Sequence, residues 1–163
     1  MKSLFILQLV CCVITAMLAL QLAMASLQVR WKVWRYEISR WILVASMLFF
    51  SVHYLLQMLH GLRAQGTDVG AAFNILFYTP VAFAITLSII NIESTGNKVR
   101  RYCLRGMMAY ILIAIVFVIG MFKSQSLHIG NMLYVMLGLF VASMAYFILI
   151  IRKETKARKQ KLM

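Results

Sequence analysis

From the N-terminus onward, long uncharged apolar runs alternate with short polar connections. The runs are Leu4 to Ala25, Trp41 to Leu62, Ala71 to Ile92, Leu104 to Phe122 and Ile129 to Ile151. A bilayer core about 30 Å thick takes about 20 helical residues to cross, and each run is close to that length or beyond it. A helix also satisfies its backbone polar groups within one segment, as lipid requires. The pattern therefore predicts an all-α integral membrane bundle of five transmembrane helices with a basic tail over 152–163. No fixed-period repeat or Pro-rich linker divides it, so a single membrane domain is expected.

Composition rules out the soluble alternative. The chain is 63% apolar and 13% charged, with mean hydropathy +0.87, whereas soluble domains run near 45–50% and about 25%. Only four acids are available to cover a water-facing surface, too few for a core of this size.

A net charge of +13 in a soluble protein would point to nucleic acid. Here the cations cluster between apolar runs, the arrangement that orients membrane proteins. With the N-terminus outside, fourteen of the seventeen Lys and Arg fall on the cytoplasmic side and only Lys2, Arg63 and Lys123 outside. The expectation is a multi-pass protein of the cytoplasmic (inner) membrane, with its C-terminus in the cytoplasm and no direct nucleic-acid binding. The first run has a competing reading as a signal peptide, since Lys2 precedes it and Ala23-Met24-Ala25 closes it. That run exceeds the usual 7 to 15 apolar residues, and cleavage would send all fourteen cations outward. An uncleaved first span fits better.

The first basic cluster is interleaved with aromatics: Arg30, Trp31, Lys32, Trp34, Arg35 and Trp41. Amphipathic rings at headgroup level beside cations are the mark of a membrane-interface anchor, and the lipid bilayer is the partner this implies.

Polar side chains within the spans usually face other helices or a cavity. In the second span His53, Gln57 and His60 follow i, i+4, i+7 spacing and share one face, with Ser46 on the same stripe. Three readings stay open: interhelical hydrogen bonding, sensing through histidine protonation, and metal binding. Geometry disfavours the last, because His53 and His60 lie about 10 Å apart along the axis and one ion cannot take both from a straight helix. No metal or cofactor is expected. In the third span Asn74 and Pro80 mark a candidate helix kink, either a packing bend or a moving element. Gly138 and Ala142 form a small-x-x-x-small pair in the fifth.

Other chemistry is missing from the pattern. No Asp or Glu lies mid-span, and no Gly-rich phosphate loop or HExxH appears. Cys11, Cys12 and Cys103 have no partner at ligand spacing and read as small apolar residues. A non-enzymatic protein is expected.

Four groups of residues resemble the membrane-embedded N-terminal region of bacterial AraC-type transcription regulators that carry several membrane helices. They are Arg30-Trp31-Lys32 with Arg35-Tyr36-Glu37 and Ser39-Arg40-Trp41; Gln57 with Gly61-Leu62-Arg63-Ala64; Asn74 with Leu76-Phe77 and Pro80; and Asn91-Ile92-Glu93. The resemblance covers about the first hundred residues well and the rest loosely. It implies a signal-input role, passing a conformational bias to a cytoplasmic regulator. The paired helix-turn-helix units of such regulators are not in this sequence. The expectation is either a short relative acting through a separate partner or the input part of a longer regulator. An accessory subunit of a larger membrane complex is the rival reading, and a small transporter or metal-handling protein a third.

Overall fold

The computed structural model describes residues 2–25, 33–61, 66–93 and 96–162. Five helices follow in order: α1 (Lys2–Met24), α2 (Val33–His60), α3 (Thr67–Glu93), α4 (Gly96–Ser124) and α5 (Met132–Leu162). Each is long and apolar enough to cross a membrane. No strand occurs among the described residues.

The helices outrun the apolar stretches. α2 begins at Val33 rather than Trp41, α4 at Gly96 rather than Leu104, and α5 carries the basic tail on to Leu162. Hydropathy marks only the part that lipid can hold, whereas Arg, Lys, Glu and Gln are good helix formers and propagate the backbone ladder beyond it. Glu37, Asp68 and Glu154 are therefore helical residues rather than connection or coil residues. α5 starts later than its apolar run because Gly130 takes φ 53°. Its first turn is tight, Met132 N donating to Ile129 O at 3.1 Å and Leu133 N to Gly130 O at 3.0 Å. Gly61, at φ 57°, supplies the left-handed cap after α2. The same conformation follows α4 at Gln125, φ 49°, where a side chain makes it costly.

α3 is the hub. It packs against α2, α4 and α5, while α1 packs against α2 alone. A third of the apolar window of α3 is buried, against 11% of that of α1. α3 runs through Pro80 as one helical element. Apolar packing is concentrated where α3, α4 and α5 meet, around Ala72, Ile75, Ile113, Phe117, Ile129 and Met136. Closer to the other end, Gly106 of α4 lets the Phe83 ring of α3 lie flush against its backbone. Apolar side chains also dominate the exposed surface of α1, α4 and α5, as expected where lipid replaces water as solvent.

Cross-helix contacts assign the ends. Asn91 near the end of α3 reaches Ser39 near the start of α2. Glu154 late in α5 reaches Lys98 and Tyr102 early in α4. The basic clusters at the start of α2, the start of α4 and the end of α5 therefore share one end of the bundle, called here the basic end. At the opposite end Asp68 in the first turn of α3 meets His128 in the α4–α5 connection.

Candidate functional site

Within the apolar part of the bundle a chain of polar side chains joins the first three helices. Gln8 of α1 donates from Nε2 to Gln57 Oε1 of α2 at 3.1 Å. Gln57 Nε2 donates to Asn74 Oδ1 of α3 at 2.7 Å, and His53 Nε2 meets the same oxygen at 3.1 Å. A carbonyl oxygen only accepts, so His53 carries its proton on Nε2 and Asn74 Oδ1 uses both lone pairs. His53 and Gln57 are each 1% exposed and Gln8 is buried. At 1.5 Å per residue, Asn74 lies about 10 Å along α3 from Thr67, which puts the chain in the half of the bundle away from the basic end.

Aromatic rings enclose it. His53 stacks on Phe77 with centroids 4.5 Å apart and meets the Tyr78 ring edge-on at 5.6 Å. Tyr54 and Tyr78 place their hydroxyls 3.5 Å apart. One turn from Gln8 along α1, Cys12 Sγ lies 3.3 Å from Ser51 Oγ, and Ser51 Oγ donates to Cys12 O at 3.2 Å. Two polar links thus fasten α1 to α2. In a low-dielectric interior such bonds reinforce one another, and leaving a member unpaired is costly.

Of the three stripe residues, the structure brings His53 and Gln57 together and leaves His60 out. His60 shares their angular face but is the last residue of α2, and its exposed ring sits 3.3 Å from Leu56 O of its own helix. Ser46 is buried but bonds Ile42 O one turn back rather than another helix. Asn74, singled out as part of a kink, proves to be the acceptor that joins α2 to α3. Trp34, Arg35 and Trp41 are exposed at the basic end of α2, as expected of interface anchors; Arg30, Trp31 and Lys32 lie outside the described residues. Gly138 and Ala142 face outward, with nothing within 4 Å of a Cβ placed on Gly138, so the pair mediates no close approach inside the described bundle.

Sequence reasoning missed Gln8, Ser39, Ser88 and Glu154 as members of these ties. Gln8 is one of two amides in the first apolar run; the signal for it was that an intramembrane amide needs a partner. Ser39 and Ser88 form, with Asn91, a second polar tie at the basic end. Asn91 Nδ2 donates to Arg35 O and Ser39 Oγ, both at 3.0 Å, and Ser39 Oγ donates to Ser88 O at 3.0 Å. Glu154, within the stretch expected as a basic tail, is 4% exposed. Tyr102 OH donates to its Oε1 at 3.0 Å and Lys98 Nζ lies 3.4 Å from its Oε2. A further tie is the hydrogen bond between Asp68 Oδ2 and His128 Nδ1, 2.8 Å long, at the far end.

These side chains are donors and acceptors between helices. Among the described residues no three His, Cys, Asp or Glu side chains converge as metal ligands would. Compared with known protein families, curated proteins and solved structures, the chain matches none.

Proposed function

We propose that this multi-pass membrane protein is a non-enzymatic signal-coupling module of the cytoplasmic membrane. In this reading α3 transmits a displacement from the outer end of the bundle to a cytoplasmic basic end. The observation that carries it is the set of polar ties along α3. Asp68 binds the α4–α5 connection at one end, Asn74 binds α2 mid-span, and Ser88 and Asn91 bind the start of α2 at the other. A helix held at three heights is biased as a unit when any one tie changes, which is the two-state element that coupling requires. The excess of Lys and Arg at the end shared by α2, α4 and α5 supports a cytoplasmic location for it and an outside N-terminus. The resemblance to membrane-embedded regions of AraC-type regulators points the same way, to a cytoplasmic regulator as partner.

Two measurements test the reading. Single cysteines at Lys156 and Ser126 are probed with a membrane-impermeant thiol reagent: the Ser126 position should label in sealed cells, and the Lys156 position only after the membrane is permeabilised. Labelling of the Lys156 position from outside overturns the orientation and the function with it. Co-purification from native membranes should then recover a soluble DNA-binding protein, and recovery should fall in an Asn74→Leu variant. The rival, an accessory subunit, is favoured by one observation, the outward small-residue face at Gly138 and Ala142, which admits close approach of another helix. A stoichiometric integral-membrane partner whose binding is lost in Gly138→Leu would establish that reading instead.

A further inference from the structure

Beside the polar chain, and independent of its role, a lateral groove runs along α2 from the basic end to mid-membrane. Its upper part, about 300 Å³, lies between α2 and α3, with Ala45, Ser46 and Phe49 on one side and Pro80, Val81 and Ala84 on the other. Its lower part, about 610 Å³, follows the first turns of α2 past Trp34, Glu37 and Trp41. Ile42 and Ala45 line both, so the two adjoin along α2. The groove exists because small residues face each other there: alanines stand on both helices, and the Pro80 ring is compact. Ser46 turns its hydroxyl to its own helix at Ile42 O, leaving the wall apolar. Phe49 stacks on Phe77 with centroids 5.0 Å apart and closes the upper end.

We propose that this groove binds one anionic phospholipid, with an acyl chain between Ala45 and Ala84 and the headgroup beside Trp34, Arg40 and Trp41. Three observations support this occupant. Length is the first: Trp34 to Phe49 spans about 22 Å at 1.5 Å per residue, and one leaflet with its headgroups is about 20–22 Å thick. A partner's transmembrane helix would cross both leaflets, whereas this groove stops at the middle of α2 and α3. The second is charge. Among the described residues Glu37 is the charged residue lining the lower part; Arg40 Nη2 holds its Oε2 at 2.6 Å and neutralises it, so exposed Arg35 on the same turn leaves that end net positive, complementary to a phosphodiester. The third is the aromatic pair: the Arg40 guanidinium lies 5.6 Å over the Trp41 ring, and both tryptophans stand where headgroups lie.

The test uses the chain's own fluorescence, because two of its three tryptophans, Trp34 and Trp41, line this end of the groove. The full chain is reconstituted in phosphatidylcholine vesicles. Phosphatidylglycerol or phosphatidylcholine, brominated near the carboxyl end of the acyl chain, is then titrated in as quencher. Brominated phosphatidylglycerol should reach half-quenching at about a fivefold lower mole fraction than brominated phosphatidylcholine, the selectivity that roughly one cationic side chain gives at an anionic surface. Ala45→Leu with Ala84→Leu fills the groove and should abolish the difference while leaving the phosphatidylcholine curve unchanged. Arg40→Gln, which leaves the groove open, should lessen it. Equal quenching by both lipids in the wild type overturns the proposal, as does a preference that survives groove filling. Disulfide formation between copies carrying Ala84→Cys, at wild-type lipid content, would assign the groove to a second chain and overturn it likewise.

Discussion

Gly106 and Gly138 offer a test of the packing in which an unwanted contribution cancels. Both are helical glycines, so changing either to alanine gains the same intrinsic helix propensity, up to about 1 kcal/mol. Their surroundings differ. A Cβ on Gly106 would stand 2.0 Å from Phe83 Cε2 and 2.2 Å from Cδ2, whereas a Cβ on Gly138 meets nothing within 4 Å. The Phe83 ring cannot simply swing aside, because its other neighbour is Phe147 of α5, with ring centroids 5.8 Å apart. Overpacking of this kind costs about 1–3 kcal/mol. Gly106→Ala should therefore fall below Gly138→Ala by that amount, roughly 2–12 °C in melting temperature for a chain of this size. Thermal unfolding of the two variants in one detergent, followed by helical circular dichroism, measures it. Phe83→Leu should be less harmful in the Gly106→Ala background than alone, since the smaller side chain vacates the space the new methyl takes. Melting temperatures for the two alanine variants within about 1 °C of each other would refute the α3–α4 contact as described.

Three further outcomes are expected. Gln57→Leu removes the hydrogen-bond partner of both Gln8 and Asn74, and interhelical bonds of this type average about 0.6 kcal/mol each; a loss of about 1–2 kcal/mol in reversible unfolding, with weaker α1–α2 disulfide trapping, is the result to look for. Tyr102→Phe deletes the hydroxyl that donates to the buried Glu154 carboxylate, a bond to a charged group worth about 1.5–3 kcal/mol, and the loss should vanish when Glu154→Gln is already present. Gln125→Gly relieves a left-handed side-chain residue after α4 and should stabilise by about 1 kcal/mol, read as a rise in the unfolding midpoint.

The five helices were legible because lipid imposes a length and a polarity on each crossing, and the runs satisfy both. Their ends were not, since nothing in hydropathy reports where a water-facing helix of Arg, Lys and Glu stops; α5, continuing to Leu162, shows this most clearly. Within the site, the four-residue spacing of His53 and Gln57 correctly placed them on one buried face. His60 shares that face but is exposed at the end of α2, because angular position says nothing of axial level. Asn74 was noticed for the proline near it rather than for its own acceptor. Gln8 could not be distinguished from Gln21 in the same run: one is buried and bonded, the other exposed, and the difference depends on which side of α1 meets α2. Glu154 sits among the cations of the basic tail, and only the packing of α4 against α5 brings Tyr102 to it.

The polar ties matter more here than equal ties would in water, because between helices in lipid there is no hydrophobic drive to association; packing and hydrogen bonds decide which helices hold together. By that criterion the hold on α1 rests wholly on its packing and bonds to α2. It touches one helix, and its polar links include the Gln8–Gln57 and Cys12–Ser51 pairs and the Arg40 guanidinium on Ala25 O just past its end. Gln57 is committed on both sides, its oxygen to Gln8 and its nitrogen to Asn74, so any movement of Asn74 along or around α3 draws on the amide that retains α1. Gln57 thereby links α1 to α3 although the two helices do not touch. Deleting the amides at Gln8 and Asn74 should consequently be non-additive: once either is gone Gln57 can turn to its remaining partner, and the second deletion then removes more than it would alone.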